Sequence, residues 1–81
     1  MYENEIKKLR QFNEDLRWFQ DNYQDLKKRF RGEYVAILHS KVIDHDKDLH
    51  KVLKRLREEK SLDTSSMVIE FINPEHKVFV L

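Results

Sequence analysis

The segment from Asp44 to His50 packs three aspartates and two histidines, Asp44, His45, Asp46, Asp48 and His50, into seven residues. Such groups ligate metals and move protons, so the spacing decides between chemistry and structure. A calcium loop opening at Asp44 requires a glycine at its sixth position and a glutamate at its twelfth. Leu49 and Arg55 stand there instead. For zinc, His45 and His50 are five residues apart, which sets them on different sides of any helix that contains both. The pattern reads instead as the end of a strand followed by a helix start, with Asp46 or Asp48 free to cap the helix and acids favoured near its positive end.

The remaining polar motifs are thinner. His39 and His76 have no serine, cysteine or acid at a spacing that suggests a nucleophile and its base. Leu62 to Ser66, LDTSS, resembles half of an aspartic-protease signature but lacks the glycine after the threonine. With one glycine in 81 residues, a phosphate-cradling loop is excluded, and with no cysteine so are a disulfide frame, a thiolate metal site and a cysteine nucleophile. No catalytic residue, metal or cofactor is assigned, and a small enzyme with its site formed between subunits has no support in the residues. The expectation is a protein that is not an enzyme.

The run Lys27-Lys28-Arg29-Phe30-Arg31 sets cations beside an aromatic, as a phosphate backbone with exposed bases requires. An alternative reading is therefore a nucleic-acid-binding regulator that joins Lys27, Lys28, Arg29 and Arg31 to Lys51, Lys54 and Arg55 of a later helix. The overall charge argues against it. The 16 basic and 15 acidic residues give a formal net charge of +1, far from the strong positive field of a nucleic-acid binder. Basic residues in the last turn of a helix are also the expected partners of its dipole.

The elements that position these groups follow from periodicity. Tyr2, Leu9, Leu16, Tyr23 and Phe30 recur every seven residues, and Phe12, Phe19 and Leu26 follow three residues after Leu9, Leu16 and Tyr23. Glu3 and Glu5 fall in the first turn and Lys27 to Arg31 in the last, so one long helix is expected over 1–31, stopped by Gly32 in the left-handed region. Tyr34 to His39 and Val42 to Asp44 read as a hairpin turning at Ser40-Lys41. Leu49, Val52, Leu53 and Leu56 then recur at helical spacing, in a helix running to about Lys60. MVIEFI and KVFVL, 67–72 and 77–81, read as two further strands joined by a turn at Pro74. The fold class expected is α+β: one domain over 1–81, with a long N-terminal helix and a β-β-α-β-β unit (33–81) forming a small four-stranded mixed sheet, the second helix serving as a crossover. Both faces of this sheet are largely apolar, so something must cover each of them.

The stretch FRGEYVAILHSKVIDHDKDLHKVLKRL resembles a family of short prokaryotic, chiefly archaeal, proteins known only as a domain of unknown function. The residues that carry the resemblance are Phe30, Gly32, Tyr34, Val35, Ala36, Val42, Leu49, Val52 and Leu53, with MVIEFI similar to the family's third strand. The hairpin turn and the longer first helix depart from its pattern. The resemblance implies a fold and no activity.

Length now bears on function. A helix of about 29 residues spans roughly 43 Å, whereas strands of five or six residues reach about 17 to 20 Å. The N-terminal half of the helix therefore outruns its sheet. An oily stripe in water is a serious loss to a domain this small, which buries only about 60 to 65 per cent of its surface. A homo-oligomer, most simply a dimer, is expected, with Tyr2, Ile6, Leu9, Phe12, Leu16, Trp18 and Phe19 as its interface; an unknown protein partner is the other candidate. A simple two-stranded coiled coil is disfavoured, because Tyr2, Phe12, Phe19, Tyr23 and Phe30 are bulky for a seam. Trp18 stands about 100° round the helix from Phe19 and serves either as packing or as a contact anchor. No apolar run approaches the roughly 18 residues that cross a bilayer and MYENEIKK lacks a signal peptide's apolar stretch, so a cytoplasmic protein without membrane contact is expected.

Overall fold

A computed structural model describes residues 2–73, with side chains described from Glu5 onward. The chain runs through α1 (Tyr2–Asp21), α2 (Tyr23–Arg29), β1 (Tyr34–Ile37), β2 (Val42–Asp46), α3 (Leu49–Lys54), a π-helical turn (Arg55–Glu59), a 3-10 turn (Thr64–Ser66) and β3 (Val68–Phe71). The three strands form one sheet in the order β2-β1-β3, and both neighbours pair antiparallel with β1.

The expected four-stranded mixed sheet is thus corrected: the described sheet has three strands and is wholly antiparallel, and the order after the first helices is β-β-α-β. The crossover through α3 does send β3 in the direction of β2, but β1 lies between them, so no parallel pair forms. The strand expected over 77–81, the turn at Pro74 and His76 lie outside the described residues.

Alternation along each strand builds two cores. Val35 and Ile37 of β1 join Val68, Ile72, Leu26 and Phe30 on one face. Ala36 joins Met67, Val52 and Leu56 on the other. The first face is covered by α1 and α2, the second by α3, so both apolar faces expected from the strand pattern are covered within one chain.

The long helix is broken at Asn22, whose φ of −106° and ψ of 11° lie outside the helical well. Asn22 donates twice to the Trp18 carbonyl, from its backbone N–H at 3.0 Å and from its side-chain Nδ2 at 2.8 Å. A short amide side chain that competes for backbone partners explains the break. Gly32 stops α2 as expected, at φ 73°. A Cβ there would meet nothing within 4 Å, so its requirement is conformational rather than one of space. Asp48 is the cap of α3, accepting from the His50 N–H at 2.9 Å.

The hairpin turn is His39-Ser40, one residue earlier than expected. Both residues have positive φ, 54° and 57°, the type I′ geometry that asparagine and glycine ordinarily supply. The turn closes through Leu38 N–H to the Lys41 carbonyl at 3.0 Å. What holds two unsuited residues there comes from α1: the Asp15 carboxylate, 1% exposed, accepts from the Ser40 N–H at 2.8 Å and from Gln11 Nε2 at 3.1 Å. Asp15→Ala leaves those donors unpaired and should lower stability by about 1 to 3 kcal/mol in urea unfolding. Recasting the turn as Asn-Gly (His39→Asn with Ser40→Gly) in the D15A background should recover a measurable part of that loss, because the turn then no longer depends on the carboxylate.

Candidate interaction surface

Two groups of residues compete as the functional surface: the polar cluster on β2 and α3, and the N-terminal turns of α1. The polar cluster centres on Arg55. Its guanidinium grips Asp44 with Nε at 3.0 Å and Nη2 at 2.9 Å, donates from Nη1 to Asp46 at 3.1 Å, and reaches the His45 carbonyl at 3.1 Å. A planar fork matched to a carboxylate is the strong form of such a pair. Burial pushes the Asp44 carboxyl up, but the Arg55 fork and the His45 N–H together outweigh it and hold Asp44 below its ordinary 3.8. Asp46 is lowered by the Asp48 N–H and then by Arg55, and Arg55 is raised in turn by both aspartates. Asp63 is lowered by the Ser65 hydroxyl and N–H, with Lys8 adding to it.

These acids therefore serve the fold. Asp44 and Asp46 tie β2 to α3, Asp48 caps α3, and Asp63 caps the 3-10 turn. Among the described residues no three His, Cys, Asp or Glu side chains are grouped to hold a metal. His45 Nδ1–H donates to Glu33 Oε1 at 2.8 Å, with its ring 4.7 Å from that of Phe30, and His39 sits in the turn.

The basic residues do not form one surface. Lys27, Lys28 and Arg29 ride on α2 over the first core and Arg31 follows it, while Lys51 and Lys54 ride on α3 over the second, across the sheet. Arg29 lies 3.7 Å from Asp25, and Arg55 is committed to Asp44 and Asp46. Nucleic-acid contacts drawn from both helices would have to reach round the molecule.

The residues expected at an interface divide sharply. Phe12, Leu16, Trp18 and Phe19 are half-buried against the first core, which places Trp18 in the packing, between α1 and β2. Ile6 and Leu9 are 49% and 62% exposed. Tyr2 lies in the first turn of α1. The Asp15–Ser40 bond fixes α1 level with the hairpin end of the sheet, and Lys8 meets Asp63 at 3.5 Å beside the 3-10 turn. The turns carrying Ile6 and Leu9 thus pass the end of the sheet on an anchored helix. No helix among the described residues is long and apolar enough to cross a membrane.

Residues 25–75, more than half of the chain, match a family of unknown function (DUF5678). The chain belongs to that family. The DUF5678 match begins inside α2 and includes β1, β2, α3 and β3, so it takes in the sheet and both cores while α1 lies outside it. Neither the curated proteins nor the solved structures hold a significant match.

The Arg55 network makes an acid prediction. Its aspartates have lowered folded values, so their contribution is complete above the ordinary carboxylate value and is lost as pH falls through the folded one. Arg55→Gln should cost more stability at pH 7 than at pH 2.5, where a larger share of the two carboxylates is protonated. Urea unfolding at the two pH values measures the difference; an equal loss at both would assign Arg55 a packing role only.

Proposed function

We propose that this chain is a non-catalytic, self-associating interaction module whose main contact element is α1. The observation that carries the reading is the exposure of Ile6 and Leu9 on a helix that Asp15 ties to the hairpin through the Ser40 N–H. Burying such side chains stabilises by about 1.5 to 3 kcal/mol each when exposure is lost completely, and a two-fold pair buries both copies at once. An anchored helix also costs little further ordering when it binds. The binding character of the reading is supported by the polar groups, since the densest cluster of acids is spent on capping and on Arg55.

The reading predicts a mass by light scattering that rises towards a dimer across a dilution series. The double variant Ile6→Asp, Leu9→Asp should remain monomeric at every concentration, while its melting temperature at the lowest concentration stays within a few degrees of the parent. A parent chain that is monomeric throughout would end the proposal.

A further inference from the structure

Resting on that self-association, we infer that two copies join through α1 as a short parallel, in-register coiled coil whose seam is Ile6, Leu9, Asn13 and Leu16. The bulk of the aromatic stripe and the poor charge match of its flanking residues, Lys8, Asp15, Asn22 and Arg29 against Ile6, Asn13, Gln20 and Lys27, argue against a coiled coil whose seam is that stripe. The fold removes that objection. Phe12, Phe19 and Leu26 turn to the sheet, and along the flank of α1 runs a second, narrower series at the a and d spacing, Ile6, Leu9, Asn13 and Leu16, of which the first three are exposed and Leu16 is already half-buried against the first core.

Each residue in that series suits two strands. Ile6 at a and Leu9 at d is the β-branched and γ-branched combination that favours parallel dimers. Asn13, exposed in the single chain, falls at an a position, where a parallel two-fold sets it against its own copy and each amide finds a donor and an acceptor in the other. Glu5 flanks the seam on one side and Arg10 on the other, five residues later, the spacing at which a parallel pair brings a g residue beside the partner's e residue. Two Glu5–Arg10 pairs of opposite charge then close the seam. An antiparallel pair brings like flank to like flank, which separates Glu5 from Arg10 and sets Asn13 opposite the partner's first turn.

The bodies fit the same arrangement. The sheet-facing series lies about 100° round the helix from the seam, so a two-fold axis along the helices sends the two sheets to opposite sides. Two heptads form a small interface, and the dimer is accordingly concentration-dependent.

The chain has no cysteine, so single-cysteine variants report contact without interference. Under mild oxidation Leu9→Cys should become disulfide-linked in most of the chain, because d positions of a parallel pair lie within disulfide reach, while Lys7→Cys on the far side of α1 should not. Asn13→Leu should tighten association at least tenfold and admit species larger than a dimer. Preferential linkage of Ile6→Cys to Leu9→Cys in a mixture would overturn the inference in favour of an antiparallel pair. A parent chain that is dimeric by light scattering while Leu9→Cys stays unlinked would overturn the pairing and leave self-association standing. A parent monomeric at every concentration would remove both.

Discussion

The whole arrangement depends on β1 being closed to water on every side. Val35, Ala36 and Ile37 are each 0% exposed. A strand so placed needs partners for its backbone on both edges and apolar cover on both faces, because an unpaired amide buried without water is nearly as costly as a lost hydrogen bond. β2 and β3 satisfy the edges, and the pairing extends past β1 itself, with Gly32 N–H donating to the Ile72 carbonyl and Ile72 N–H to that of Glu33, each at 2.8 Å. The faces then dictate the helices. Val35 and Ile37 call for α1 and α2, and Ala36, the smallest residue of the strand, lets Val52 of α3 and Leu56 of the π-helical turn approach closely. β1 sits between β2 and β3 for the same reason: a parallel β2–β3 pair would leave it at an edge.

The position of β1 also explains why one end of α1 is buried and the other exposed. A strict seven-residue series slips by about 20° per heptad round a straight α-helix. From Leu16 back to Leu9, within the unbroken α1, the series turns by roughly 20° as it runs towards the N terminus. Phe30 is 8% exposed, Tyr23 and Leu16 are half-buried, and Leu9 is 62% exposed. Slippage and overhang act in the same direction.

Much of this could be read from the residues. Gly32 marked the helix stop, the alternation of Tyr34 to Leu38 and of Met67 to Ile72 gave both apolar faces, and the aspartates before Leu49 gave the cap. Local signals sufficed because each of these features is decided within a few residues. The misreadings came where distant residues decide. Ser40-Lys41 looked like the turn because His39 carries no turn preference; Asp15, 25 residues away, makes His39-Ser40 workable. Asn22 looked like one more polar residue on a continuous helix. Arg55 counted as a candidate phosphate contact because its two aspartates lie 11 and 9 residues before it on another element. Among the expected interface residues, only the sheet separates Ile6 and Leu9, which are exposed, from Phe12 and Phe19, which it covers. Nothing in the residues around Asp15 marks it, because its burial and its Ser40 partner are set by the fold.

The β2 edge of the sheet is closed to an added strand. Ile43 and His45 alternate with residues that face β1, so their carbonyls point outward. Lys60 Nζ donates to the first at 3.1 Å and Arg55 Nη2 to the second at 3.1 Å, while the His45 N–H is held by Asp44 Oδ1 at 2.7 Å. An added strand would have to displace an arginine already bound to two carboxylates and a lysine, replacing charge-assisted bonds by neutral ones. The same Arg55 that joins β2 to α3 thereby closes this side of the sheet to a neighbour. The π-helical turn, where the Lys60 N–H reaches the Arg55 carbonyl at 3.2 Å, places Arg55 and Lys60 at the two ends of one widened turn, from which both side chains reach β2. With the β2 edge closed, the exposed apolar surface on the N-terminal turns of α1 can meet a partner without first breaking bonds that the fold requires; among the described residues the other large exposed apolar side chain is Phe71 of β3.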